Sequence, residues 1–308
     1  WHHPDYVVDP CNGPYRNKSD ADRAALNKGR RMERYAAYMR NQVTELLTKF
    51  GDIDALWFDF SFPWKENPAD HTRGKSRLAW ESEKLYALVR KLRPSIIVND
   101  RLDLLDVPGG WDFRTPEQFL PFNWITVEGK KVPWETCQTF SGSWGYHRDE
   151  NTWKSVRQLL TLLIETVSKG GNLLLNVGPT GRGTFDNRSM QRLEGMGEWM
   201  KYNGRSIYGC TQAPEEFPAP NNTLMTYNPE ANRLYVHMLE WPMGKLHLPG
   251  FAGKIKYAQL LHDASEIRFT SRENWQSEYE KVPDNVVTLD LPVLQPDTEI
   301  PVVELFLR

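Results

Sequence analysis

Two carboxylates stand where their neighbours give no reason for charge. Asp59 lies in "ALWFDF" (55–60), among the apolar Leu56, Trp57, Phe58 and Phe60. An ionised carboxylate leaving so greasy a strand must be hydrogen-bonded or paired, because bare burial of its charge is costly. Arg101, at the end of the next apolar run, could satisfy it as a structural salt bridge. The alternative is a nucleophile or base. Glu117 sits in "RTPEQF" behind Pro116, a loop setting where a glutamate is ordinarily just solvated. Its interest depends on a carboxylate partner at a neighbouring strand end, since glycoside hydrolysis uses two carboxyl groups flanking one bond.

The same polarity recurs along the chain. "ALWFD" ends in Asp59, "IIVND" in Asn99 and Asp100 followed by Arg101, "PWETC" contains Glu135, and "LLLN" ends in Asn176. Any strand must leave the core somewhere, so one polar end means little. Four ends alike favour an active-site face at the C-terminal edge of a parallel sheet.

The elements that would position these groups can be read from periodicity. Residues 20–50 carry apolar side chains every three or four positions and predict one long helix stopped by Gly51. Residues 55–60 then predict a buried strand, 76–92 a second helix and 95–100 a second strand. A third strand is expected over 132–140. A third helix should be capped by Asn151 and end at Gly170 and Gly171. A fourth strand (172–177) and a fourth helix (187–202) complete an alternation that implies an α/β fold, a parallel sheet with helices outside it. Beyond Cys210 the pattern shortens to turn-separated strands. Residues 223–241 read as two strands joined through a Pro/Asn turn, and the last hundred or so residues predict an antiparallel β-sandwich. The expected domains are 1–209 and 210–308.

Composition excludes several classes. The 308 residues carry a formal charge of −2, which offers no footprint for nucleic acid or an anionic membrane. No apolar run reaches the roughly 18 residues of a membrane-spanning helix. Cys11, Cys137 and Cys210 are too dispersed for a disulfide framework or a zinc site, and no metal is expected. The "GPTGRG" run (178–183) lacks the Gly-Lys-Ser/Thr of a phosphate loop, and no nucleophile elbow is present. His2 and His3 are adjacent, point in different directions and read as a polar loop. Sequons begin at Asn17, Asn187 and Asn221, a pattern chance supplies readily. The abrupt "WHHPDY" reads like the middle of a longer chain.

Several stretches, in order, resemble a known family. "LWFDF", "IIVNDR", "DFRTPEQ", "WETCQTFSGSWGY", "VSKGGNLLLNVGPTGRG" and "GEWMKYNGRSIYG" are similar to glycoside hydrolase family 29, the α-L-fucosidases, from residue 1 to about 209. The resemblance implies a (β/α)8-like barrel with only its C-terminal half present, followed by the β-sandwich. It implies a retaining exo-acting hydrolase of α-linked L-fucose on fucosylated glycans, without cofactor. In that reading Asp59 is the nucleophile, Glu117 the acid/base, and Trp57, Arg101 and Trp144 bind the sugar. The two carboxyls would lie about 5–5.5 Å apart. The family's His-His-Asp-Gly-Phe motif is missing, so a missing segment, a second chain or an oligomeric partner is expected to complete the barrel. Phe60 stands where the family usually has Gly, which would narrow the pocket or redirect the loop, and Arg205 and Ser206 replace its Glu-Ala at a helix end. A secreted, periplasmic or lysosomal setting would suit such an enzyme. A non-catalytic fucose-binding fragment and a related retaining glycosidase are the alternatives.

Overall fold

The computed structural model describes residues 3–11, 13–59, 61, 74–270 and 283–308. The expectations about His2 and Phe60 lie outside the described residues. The chain divides into two compact units, residues 1–115 and 116–308, each treated by itself below. The fold is mixed α/β.

In the first unit the expected helix over 20–50 is two helices, α1 (Asp20–Asn27) and α2 (Met32–Lys49). Gly29 breaks them apart at φ +80°, a conformation open to glycine at little cost. Helix α2 buries Met32, Ala36, Val43 and Leu47, whereas Leu46 and Phe50, which also fall on the three-or-four spacing, are exposed. Strand β1 (Ala55–Leu56) is shorter than expected and not buried, with Ala55 exposed and Leu56 half-buried. The next helix is also divided, into α3 (Arg77–Trp80) and α4 (Ser82–Leu92), by Glu81 at φ 49°. Strand β2 (Ile97–Val98) pairs with β1 in parallel, Ala55 opposite Ile97 and Leu56 opposite Val98. Val43, Leu47, Leu85, Val89, Ile96 and Val98 form the core between helices and strands.

The second unit opens with a hairpin of β3 (Thr126–Val127) and β4 (Lys130–Lys131). Both of its turn residues, Glu128 and Gly129, have positive φ, the geometry that matches strand twist in a tight hairpin. A βαβ unit follows: β5 (Glu135–Thr139), α5 (Val156–Ser168) and β6 (Asn172–Asn176), with β5 and β6 parallel and in register from Glu135/Asn172 to Thr139/Asn176. Ser155, not Asn151, caps α5. Its Oγ accepts from Gln158 N at 3.1 Å and Gln158 Oε1 accepts from Ser155 N at 2.8 Å, a reciprocal box that satisfies two orphan helix donors. The return into β6 is tight. A Cβ on Gly171 would meet the buried Trp134 ring at 2.4 Å.

Helix α6 (Asn187–Asn203) leads to the strands β7 (Thr211–Gln212), β8 (Thr223–Asn228), β9 (Arg233–Met238), β10 (Lys245–Pro249), β11 (Ile255–Leu260), β12 (Arg268–Thr270), β13 (Val286–Asp290) and β14 (Val302–Leu307). These form a five-stranded antiparallel sheet, β11-β14-β9-β8-β7, and a three-stranded one, β10-β13-β12. One cluster takes residues from both sheets, including Leu234, Val236, Leu248, Leu289 and Leu305. The other face of the larger sheet packs on α5 and α6, where Leu160, Ile164 and Trp199 meet Tyr235 and Val302. Strand β9 therefore alternates between two buried faces, which explains its continuous burial from Leu234 to Met238. Trp199 Nε1 also donates to Ile300 O at 2.9 Å, and Arg205 pairs with Glu304 at 2.8 Å. Residues on both sides of position 209 lie in the second compact unit.

Candidate active site

The first unit contains Trp57, Asp59 and Arg101. Strand β1 stops after Leu56, yet the chain continues in place because Asn99 replaces the missing ladder. Its fully buried side chain accepts from Phe58 N at 2.9 Å and donates to Phe58 O at 2.8 Å. Asp59, next along, is held just beyond the strand end. Arg101 Nη1 donates to Asp59 Oδ1 at 3.1 Å, and its guanidinium lies 4.4 Å over the Trp57 ring. The pairing named as a possibility from sequence is present. Asp59 is 42% exposed and Arg101 19%. Solvent weakens such a pair, so its effect is chiefly orientation, with the carboxylate left accessible. Trp57 Nε1 is buried without a hydrogen-bond partner among the described residues.

Arg101 is itself anchored. Its Nε donates to Thr115 Oγ1 at 3.0 Å and its Nη2 to Thr115 O at 3.1 Å. Thr115 N and Oγ1 both donate to Asp100 Oδ1, and Asp100 Oδ2 pairs with Arg114 Nε at 3.1 Å. Asp103 and Asp106 play structural parts. Asp103 accepts from Arg77 N at 3.0 Å, and Asp106 pairs with the Arg77 guanidinium.

Glu117 and Trp144 belong to the second unit. Residues 116–118 run beside β5 through a parallel bridge between Glu117 and Cys137, with Gln118 N donating to Cys137 O at 3.0 Å. Glu117 is exposed at this added edge. Trp144 rides on a loop braced at several points. Asn176 Nδ2 donates to Trp144 O, and Gly178 approaches so closely that a Cβ would lie 2.5 Å from the Tyr146 nitrogen. Glu150 accepts from Ser143 Oγ at 2.5 Å and from Thr152 N at 2.7 Å. The Ser143 hydroxyl first, then Thr152, hold the Glu150 carboxyl down at about 2, so it stays an ionised brace. Trp144 is left 43% exposed.

Sequence reasoning did not single out Thr115, Glu150 or the ladder role of Asn99. Thr115 and Glu150 act through partners that no local pattern reveals. Asn99 could have been suspected from an amide closing an apolar strand.

Among the described residues, no group of three His, Cys, Asp or Glu side chains could hold a metal, and no helix is long and apolar enough to cross a membrane. His3 Nδ1 accepts from Asp5 N at 3.1 Å, and its ring lies 4.5 Å from that of Tyr38. A cavity of about 620 Å³ lies in the second unit, against α5 and α6 with His262 and Asp297 in its wall, and contains none of the five expected site residues.

A parallel βαβ unit and an antiparallel sheet region define a mixed α/β chain. The family model for α-L-fucosidase matches residues 1–205, and the chain belongs to that family. Among relatives, the plasma α-L-fucosidase of Rattus norvegicus is 32% identical over 218 residues, 67% of this chain and 43% of that protein. The α-L-fucosidase of Branchiostoma floridae is 36% identical over 197 residues, 61% of this chain and 40% of that protein. Among solved structures, α-L-fucosidase isoenzyme 1 from Paenibacillus thiaminolyticus superposes with a TM-score of 0.84 at 35% identity, covering all of this chain and 70% of that one. The chain spans less than half the length of these two curated relatives.

Proposed function

We propose that this chain carries the chemical centre of a retaining exo-α-L-fucosidase, releasing terminal α-linked L-fucose from glycans through a covalent glycosyl-enzyme intermediate. Family membership supports the substrate class. The observation that carries the assignment of residues is the exposed Asp59 carboxylate fixed against Arg101 just beyond a parallel strand. In this reading Asp59 attacks the anomeric carbon, and Arg101 aims it. Glu117 first donates a proton to the leaving oxygen and then takes one from the attacking water. The Trp57 and Trp144 faces receive the apolar side of the sugar, and Arg101 also reaches its hydroxyls. Residues 1–209 are read as the C-terminal part of a (β/α)8-like barrel and 210–308 as a β-sandwich.

The test is hydrolysis of an aryl α-L-fucoside, with product configuration followed by proton NMR. Asp59→Gly should abolish turnover, and azide should restore part of it as a glycosyl azide. Glu117→Ala should slow substrates with poor leaving groups most, because they depend on the proton. Full activity in the Asp59→Gly protein would remove the nucleophile assignment. In a second reading fucose binds to the chain but is not hydrolysed. Binding of fucose without hydrolysis of the aryl α-L-fucoside would select it.

A further inference from the structure

The guanidinium of Arg101 is held by one residue at two of its three donor positions. Nε donates to Thr115 Oγ1 at 3.0 Å and Nη2 to Thr115 O at 3.1 Å, while Nη1 goes to Asp59. The direction of each bond is fixed by the chemistry of a hydroxyl, which has one hydrogen and two lone pairs. Thr115 Oγ1 gives its hydrogen to Asp100 Oδ1, so toward Arg101 it can only accept. Asp100 also takes Thr115 N at 3.1 Å and is paired through its second oxygen with Arg114. Thr115 is buried, which protects the junction from competing water.

From this we propose that Thr115 is a positioning residue for the reaction: it locks the Arg101 guanidinium in the orientation that aims Asp59. The proposal rests on the reading of Asp59 as nucleophile. An arginine side chain left to itself samples many rotamers, and one anchored at Nε and Nη2 presents Nη1 in a single direction. A carboxylate aimed by that fork reaches its electrophile without first being reoriented. A misplacement of about 1 Å at such a group can cost on the order of a hundredfold in rate.

The isosteric Thr115→Val removes the hydroxyl and keeps the β-branched shape, whereas Thr115→Ser keeps the hydroxyl. Both are compared with wild type in the full chain by two measurements. In a ¹⁵N spectrum the Arg101 Nε–H, assigned by its loss in Arg101→Lys, should be protected from solvent exchange in wild type and in Thr115→Ser. It should lose that protection in Thr115→Val. With an aryl α-L-fucoside, kcat should fall about tenfold to a hundredfold in Thr115→Val, KM should change little, and Thr115→Ser should recover most of the rate. An unchanged Arg101 resonance in Thr115→Val overturns the proposal, as does a pure rise in KM or equal damage in both variants. The spectroscopic result decides whether Thr115 locks Arg101 even if wild type turns over nothing, an outcome that bears on the proposed function and leaves the Thr115–Arg101 contact to be judged by the spectrum.

Discussion

His237 shows how a single buried side chain can make stability depend on pH. It is fully buried, and its Nε2 lies 2.9 Å from Thr226 Oγ1. That hydroxyl donates to Ser206 O at 2.6 Å, so it can only accept from the ring, and Nε2 carries the proton. Nδ1 has no partner among the described residues. Burial without a counter-charge pushes the imidazole from 6.5 down to about 3. The unfolded chain therefore binds a proton near pH 6.5 that the folded chain refuses until about pH 3. Stability is insensitive to this group above pH 6.5 and falls progressively below it. Urea unfolding at pH 4.5 should show about 2–3 kcal/mol less stability from this residue than at pH 7, and His237→Phe should remove that increment. An identical pH dependence in the variant would show that other groups are responsible.

At the scale of elements, the turn from α5 into β6 is the most constrained. Gly170 has φ +72°, and a Cβ there would meet the Trp124 ring at 2.2 Å, while one on Gly171 would meet Trp134 at 2.4 Å. Neither indole can step aside cheaply, since Trp124 Nε1 donates to Val132 O at 2.8 Å and Trp134 Nε1 to Lys169 O at 3.1 Å. Gly171→Ala should cost about 1–3 kcal/mol, read as a lower urea midpoint with little change in slope. The same elements show what sequence can and cannot reveal. The apolar stripe of α5 and the unbroken "LLLN" of β6 were legible because their signals are local and periodic. The breaks at Gly29 and Glu81 were not, since a positive φ leaves the hydrophobic period intact on both sides. At the site, Asp59 and Arg101 could be paired as two charges leaving adjacent apolar strands. Thr115 could not, because its value lies entirely in contacts 14 and 15 residues away.

At the scale of the molecule, residues on both sides of position 209 share one buried cluster, in which Trp199, Leu160 and Ile164 pack on Tyr235 and Val302. An interface this apolar resembles a core rather than a sliding contact between domains. The second unit should therefore melt as one body. Intrinsic fluorescence and far-ultraviolet dichroism should give coincident unfolding curves for it. Trp199→Ala, which also deletes the bond to Ile300 O, should destabilise helices and strands together by about 3–5 kcal/mol. Strand signals that persist after the helices have melted would mean that the two parts fold independently.

Asn99 ties this architecture to time. Its amide does the work of a peptide group for Phe58, one oxygen accepting and one nitrogen donating. Hydrolysis of that amide, releasing ammonia, would turn the nitrogen facing Phe58 O into a second oxygen acceptor, and Asn99→Asp should reproduce the damage. The side chain is fully buried, so water reaches it chiefly when the surrounding fold opens. Mass spectrometry of stored samples should find the one-dalton gain at Asn99 accumulating with the rate of opening, so that the position of Asp59 ages only as fast as the fold breathes.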